Sequence, residues 1–194
     1  MNSPAYDSIV FGMGCFWGAE KRMAALEGVI DTESGYAGGD DLLTDYHQVL
    51  DLEKHLRSGL AEKRNHAEVV KVVYDPKKVS LMALLAQFWE NHNPTQGDRQ
   101  GNDIGSNYRS AIYYQTAQQR NLAEHSLDCY QQALSAAGWS KITTEILPLR
   151  NYNRAEEYHQ DYLQKHPGGY CGLGGTGIAF PIETCTVVQV NESP

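Results

Sequence analysis

The chain has 194 residues with 16 basic against 24 acidic side chains, a formal charge of −8, which argues against a sequence-independent grip on nucleic-acid phosphates and against docking on an anionic membrane. No apolar run approaches the ~20 residues of a bilayer span, and the opening residues, MNSPAYDSIV, lack the basic and apolar regions of a secretory signal. Four scattered cysteines form neither a disulfide scaffold nor a zinc spacing, so a cytoplasmic monomer binding neither nucleic acid nor membrane is expected.

Residues 8–11, SIVF, predict a short strand followed by a glycine-flanked turn. Phe16, Ala19, Met23 and Leu26 then recur at helical spacing, and Gly28 ends that helix. GYAGGDD at 35–41 reads as a loop. Residues 51–65, DLEKHLRSGLAEKRN, are dense in charge and read as a surface helix or excursion. AEVVKVVYD at 67–75 is the clearest strand: Glu68, Val70, Val72 and Tyr74 share one face, Ala67, Val69, Lys71 and Val73 the other.

Ser80 caps a helix, LMALLAQFWENH, with Leu81, Leu84, Leu85 and Phe88 on one stripe. A polar loop covers 93–107, and RSAIYY at 109–114 is a strand. Thr116 with Gln119 makes a capping box, and the helix behind it carries Leu122, Ser126, Cys129, Ala133 and Ala136 on one face. KITTEIL is a further strand, and AEEYHQDYLQKH a short helix. From 168 to 177 the chain is GGYCGLGGTG, a flexible arm.

With no internal repeat and no second composition regime, one catalytic domain over 1–194 is expected, with an insertion at about 51–65 and a C-terminal arm from about 167. The predicted fold class is α+β: a two-layer α/β sandwich with a mixed sheet, a ferredoxin-like core and a glycine-rich C-terminal coil.

Cys15 falls at the first turn of a helix, where unpaired N–H groups and a partial positive charge favour a thiolate. It is a nucleophile candidate; the plain alternative is a small apolar filler between glycines. Glu68 begins an apolar strand face. It is either exposed at the strand end or buried and protonated near neutrality, and the second case suits a general acid. Cys129 lies on an apolar helical stripe and reads as core packing. Cys171, between glycines, has the reach of a resolving thiol. Cys185 is either a second exchange thiol or a packed one, in a tail with strand-like TVVQV. GLGGTG lacks the strand and helix of a dinucleotide fingerprint. His66, His92 and His159 read as hydrogen-bonding residues, and no metal-ligand cluster is evident.

Taken together, GCFWGAE at 14–20, SGYAGG at 34–39, HAEVVKVVYDP at 66–76, FWENHNPTQGDRQGNDIGSNYRSAIYY at 88–114, ITTEI at 142–146 and YHQDYLQKHPGGYCGLGGTG at 158–177 resemble the peptide methionine sulfoxide reductase A family. The resemblance runs from about residue 8 to 177. It implies that Cys15 attacks the sulfur of methionine-S-sulfoxide and that Phe16 and Trp17 house the substrate's S-methyl group. Glu68 would protonate the sulfoxide oxygen, to which Tyr46 and Tyr108 would hydrogen-bond. Asp103 would hold the substrate main chain or support the site, Tyr162 would close the methyl pocket, and His159 would sit near it. Cys171 would then resolve a Cys15 sulfenic acid as a disulfide for thioredoxin, or another dithiol, to reduce. No bound cofactor or metal is implied.

The sequence departs from the family pattern in three places. Position 179, where many members carry a further recycling cysteine, is Ala179, so Cys185 is the candidate replacement. The segment between Tyr46 and Glu68 is longer than usual, and Leu50 stands where a non-resolving cysteine often does. Two other activities fit parts of the pattern. A cysteine hydrolase or acyltransferase would need a histidine base and an oxyanion site. A catalytically impaired redox sensor would keep the Cys15–Cys171 disulfide without sulfoxide turnover.

Overall fold

A computed structural model of the chain describes residues 5–172 and 174–185. In chain order the elements are β1 (Asp7–Met13), α1 (Phe16–Ala24), β2 (Val29–Ala37), α2 (Tyr46–Arg57), β3 (Ala67–Tyr74), α3 (Leu81–Glu90), β4 (Arg99–Gln100), β5 (Asp103–Ile104), a 3-10 turn (Ser106–Tyr108), β6 (Ser110–Tyr114), α4 (Ala117–Ala136), β7 (Glu145–Pro148), β8 (Asn153–Arg154), a second 3-10 turn (Glu157–His159) and α5 (Tyr162–Lys165).

The main sheet has the order β7-β6-β1-β3-β2-β8. Its centre, β6-β1-β3-β2, is antiparallel throughout. With α1 and α3 as crossovers this is the expected βαββαβ, ferredoxin-like core. β7 joins parallel to β6 through the long helix α4, as a parallel pair requires a crossover. β4 and β5 form a separate two-residue hairpin.

The alternation read in β3 holds. Val70, Val72 and Tyr74 pack with Ile9, Phe11 and Ile112 against α1, α3 and α4. Val69 joins Val10, Ala111 and Tyr113 on the opposite face, closed by Leu149 and Tyr152. The helix-side core includes Leu84, Leu85, Phe88 and Trp89 of α3, each fully buried. Side chains of this kind contribute about 1.5–3 kcal/mol each on burial. Ser80 caps α3 by accepting from Ala83 N–H at 3.1 Å. Thr116 likewise accepts from Gln119 N–H at 3.2 Å, but the Gln119 amide oxygen reaches back to Gln115 N–H rather than to the cap residue.

Several expectations need correction. Strand β2 extends through SGYA, which the sequence reading left in or beside a loop. Its polar residues are inward partners of other polar groups: Ser34 and Thr32 hydroxyls both donate to Glu20. The buried stripe of α4 is Gln119, Ala123, Ser126, Tyr130 and Leu134; of the predicted stripe only Ser126 belongs to it, while Leu122, Cys129 and Ala133 pack partly buried at its edge. The segment at 51–65, read as a surface helix or excursion, is helical only to Arg57, in a helix that starts earlier at Tyr46 and buries Val49, Leu52 and Glu53. The helix expected over AEEYHQDYLQKH is broken in two at Asp161, whose φ is +50°. Among the described residues, the segment after α5 carries no regular secondary structure, and it docks through Tyr130 and Phe180. Residues 186–190, TVVQV, lie outside the described residues.

Candidate active site

The antiparallel register brings one end of each central strand together. Met13 pairs with Ser110, and Tyr36 and Ala37 pair with Glu68 and Ala67. The turn after β1, the start of β3 and the segment before β6 therefore meet at one edge of the sheet, with the turn after β8 beside β2. Gly14 makes the turn from β1 into α1 possible. Its φ is +89°, and a Cβ there would come within 2.6 Å of the Gln100 side chain.

Cys15 is the N-cap of α1. The usual cap supplies a side-chain oxygen to the first free N–H groups; a thiol makes no such bond here. Those donors are left for other groups. Phe16 N–H donates to Glu68 Oε1 at 3.3 Å, which seats the carboxyl at the helix terminus beside the sulfur. Glu68 is 3% exposed. Burial pushes its pKa up to about 8, against the pull of the Phe16 N–H, with a smaller push from Asp103. At neutral pH it is chiefly protonated, the buried alternative of the two the sequence left open.

The thiol departs from expectation. Burial, then the proximity of Glu68, pushes Cys15 up to about 12. The Trp17 and Gly18 N–H groups at the helix start pull the other way and lose. The helix terminus alone does not make a resting thiolate, because Cys15 is only 8% exposed and desolvation exceeds the pull of the N–H groups.

Around this pair, Phe16 is buried against Tyr36 and Val49, with Trp17 and Tyr46 partly covering it. Trp17 stacks on Tyr162 with ring centroids 3.8 Å apart and planes 11° from parallel. Its indole N–H donates to His159 Nδ1 at 3.0 Å. That bond assigns the His159 proton to Nε2, a buried atom with no protein partner among the described residues. Burial also lowers the His159 pKa, which keeps the ring neutral. Tyr46 packs edge-on to His159 at 4.8 Å.

Tyr46 and Tyr108 both have raised pKa values, first from burial and then from Glu68, with Cys15 also contributing. Both phenols therefore stand in the electrostatic reach of the acid and the thiol. Asp103, on β5, accepts from the Tyr170 hydroxyl, although burial holds its pKa above the ordinary value. This contact carries the arm to the site: Gly172 lies against Tyr170 and Asp103, and Cys171 between them is exposed and free.

A family model described as peptide methionine sulfoxide reductase matches residues 7–177. The chain belongs to that family. It is 52% identical over 177 residues to peptide methionine sulfoxide reductase MsrA 2 of Nostoc, covering 91% of this chain and 75% of the relative. The structure of methionine sulfoxide reductase A of Corynebacterium diphtheriae matches with a TM-score of 0.77 at 42% identity, covering 92% of this chain and 83% of that one. Reduced Mxr1 from Saccharomyces cerevisiae matches with 0.73 at 30% identity, covering 93% and 92%. As a peptide methionine sulfoxide reductase the chain is a thiol-dependent oxidoreductase.

The structure gathers Cys15, Phe16, Trp17, Tyr46, Glu68, Asp103, Tyr108, His159 and Tyr162 at this edge, with Cys171 on the arm beside it. It does not bring Cys185 there. Cys185 is 2% exposed and bonded to Cys129. Cys129 packs at the edge of the core, as its stripe position suggested, and is also a disulfide partner, which the sequence reading did not anticipate. His66 and His92 are hydrogen-bonding residues: His66 accepts from Gly39 N–H, and His92 bridges Phe88 O and Ser110 Oγ.

Sequence reasoning missed three carboxylates that hold the site of this reductase. Glu20 accepts from Asp161 N–H at 3.0 Å as well as from Ser34 and Thr32, and so fixes the left-handed residue that starts α5 and places Tyr162. Glu156 accepts from Tyr46 N–H and from the Tyr36 hydroxyl. Burial alone would raise its pKa, yet these bonds, with its own N–H and the Tyr158 hydroxyl, bring it below the usual value. Glu53 accepts from Ser106 N–H at 2.9 Å, from the Ser106 hydroxyl and from Asn65, and so braces the 3-10 turn that ends in Tyr108. Glu20 and Glu53 each sit one helical turn beyond an apolar residue on the buried stripe, Phe16 and Val49. A carboxylate on an apolar stripe was the available signal.

Proposed function

We propose that this chain reduces methionine-S-sulfoxide, free or in proteins, with Cys15 as nucleophile and Glu68 as the proton donor. The observation that carries the reading is the Phe16 N–H to Glu68 bond at 3.3 Å, which holds a protonated carboxyl beside the thiol. Neither group is ionised at rest. The sulfoxide oxygen, hydrogen-bonded by Tyr46 and Tyr108, takes the Glu68 proton, and its sulfur becomes electrophilic. The new carboxylate draws off the Cys15 proton as the sulfur–sulfur bond forms. A buried acid with a pKa near neutrality suits both halves of this transfer.

The S-methyl group rests on Phe16 and Trp17, with Tyr162 closing over Trp17. His159 Nε2–H offers a donor toward the same space, and Asp103 holds the substrate's main-chain amide. A groove of about 410 Å³ opens beside the Trp17–Tyr162 stack, room for residues flanking a methionine in a protein. Oxygen passes to Cys15 and methionine leaves a sulfenic acid. Cys171 attacks it, water departs, and a Cys15–Cys171 disulfide forms. Thioredoxin or another dithiol then reduces that disulfide, and both thiols return. The sum is sulfoxide plus dithiol giving methionine, disulfide and water.

A single turnover tests the scheme. Protein holding its Cys129–Cys185 disulfide is mixed with excess S-sulfoxide of N-acetylmethionine and no reductant. One methionine formed and two thiols lost per chain is the expected result. No methionine above a Cys15→Ser control overturns the reading. Two methionines from fully reduced protein, with four thiols lost, would restore Cys185 to the cycle.

A further inference from the structure

The reduction cycle leaves one reactive cluster unused. On α4, His125 precedes Cys129 by one helical turn, and His125 Nε2 lies 3.7 Å from Cys129 Sγ. Cys185 closes on the same point from the C-terminal segment, and the three ligand atoms lie within 4.8 Å of one another. A disulfide needs no imidazole. A histidine and a cysteine four residues apart on one helix present two ligand atoms on one face, and a thiolate from a distant segment completes a Cys2His set of the kind that binds zinc. Cys185 is buried while His125 and Cys129 are half-exposed.

We propose that the dithiol form of Cys129 and Cys185, together with His125, is a binding site for one divalent ion of the zinc class, and that oxidation of the pair to its disulfide closes the site. The exchange balances. A dithiol of the kind the reduction cycle already consumes transfers two electrons and two protons to the Cys129–Cys185 bond and becomes a disulfide. The metal ion then displaces the two thiol protons and takes the two thiolates and the neutral imidazole as ligands. The reverse exchange balances too: a disulfide of the class that the dithiol becomes takes the two electrons, with two protons from water, the pair returns to its disulfide, and the ion is released. The inference is independent of the proposed roles of Cys15 and Glu68.

The test uses the full chain carrying Cys15→Ser and Cys171→Ser, so that no other thiols compete. The protein is reduced with a phosphine in the absence of oxygen and titrated with cobalt(II). The expected result is saturation at one ion per chain with thiolate-to-cobalt absorption and tetrahedral visible bands, both lost on adding zinc. Protein with the disulfide intact shows neither. His125→Ala keeps both cysteines and the disulfide, and should weaken binding by at least roughly tenfold, since even indirect partners of ligands carry that much. Cys185→Ser should abolish the thiolate band. Reduced protein that takes up no cobalt overturns the proposal, as does uptake that His125→Ala leaves unchanged in a chain with an unaltered circular dichroism spectrum.

Discussion

Cys15 and Cys129 both belong to helices that pack on one face of the sheet, yet one is free and the other bonded. Cys15 stands at a helix terminus, with the Phe16, Trp17 and Gly18 N–H groups beside it and a protonated Glu68 alongside. Cys129 lies inside the twenty-residue α4, where intrahelical bonds already use the backbone donors. Its sulfur meets the side chains of Cys185 and His125. Placement within the helix therefore separates a thiol set up for proton-coupled attack from one set up for covalent or metal bonding. The acid makes the larger difference, because burial raises the Cys15 pKa and the terminus alone does not overcome it.

The sharpest way to break the comparison is to remove the acid. Glu68→Gln preserves the acceptor for Phe16 N–H and deletes the proton. The rate of methionine formation should fall roughly 10²–10⁴-fold, measured as single-turnover kcat/KM. The wild-type pH profile follows from the same group. The proposed scheme requires the protonated acid, so kcat/KM should be level below about 8 and fall roughly tenfold per unit above it. The Gln variant should be slow and flat through that point. A wild-type profile that rises across this range would mean a resting thiolate drives the attack.

On the other side of the comparison stands the bonded pair. The two cysteines are 56 residues apart, and closing a loop of that size in the unfolded chain favours the native state by about 2–4 kcal/mol. Cys129→Ser should lose that much in urea unfolding without reductant, and the difference should vanish when both proteins are reduced. Turnover with a dithiol should be unaffected. Equal stability before reduction would mean the bond does not form in solution.

Glu53 tests whether the helix before β3 serves the site. Its hydrogen bonds to Ser106 hold the turn ending in Tyr108, and each bond to a charged group is worth about 1.5–3 kcal/mol. Glu53→Gln should lower kcat/KM roughly tenfold, consistent with loss of one such bond. If it acts through Tyr108, adding Tyr108→Phe should cost little more than either change alone. Full additivity would instead place Glu53 in general stability.

The central sheet was legible because β3 alternates strictly and α3 carries a clean apolar stripe with Ser80 ahead of it. β2 was not, because Thr32 and Ser34 satisfy Glu20 on the preceding helix, 12 and 14 positions away, and the strand's own pattern shows only their polarity. The break at Asp161 was hidden for the same reason: Glu20, 141 positions earlier, holds the left-handed turn. Cys15 and Glu68 stood out through position on a helix and a strand. The Cys15 pKa did not, since burial depends on everything packed over it. The pairing of Cys129 with Cys185 was invisible to spacing, and His125 drew no notice without Cys185 beside it.

The smallest expected effect concerns Tyr162, the proposed lid of the methyl pocket. Tyr162 lies face to face with Trp17 at 3.8 Å, while the Trp17 N–H stays bound to His159 on its other edge. Tyr162→Leu keeps apolar cover and removes the stack, and aromatic pairs of this kind are worth about 0.5–1.5 kcal/mol. Trp17 remains oriented by His159, and Cys15 and Glu68 are untouched. The loss should therefore fall on binding: KM for N-acetylmethionine sulfoxide should rise roughly two- to tenfold with kcat nearly constant. If kcat falls instead, Tyr162 acts on the reacting sulfur in the transition state. His159→Phe then separates the two cases, because it frees the Trp17 indole while leaving Tyr162 in place, and should raise KM in the same way if orientation of Trp17 is what Tyr162 protects.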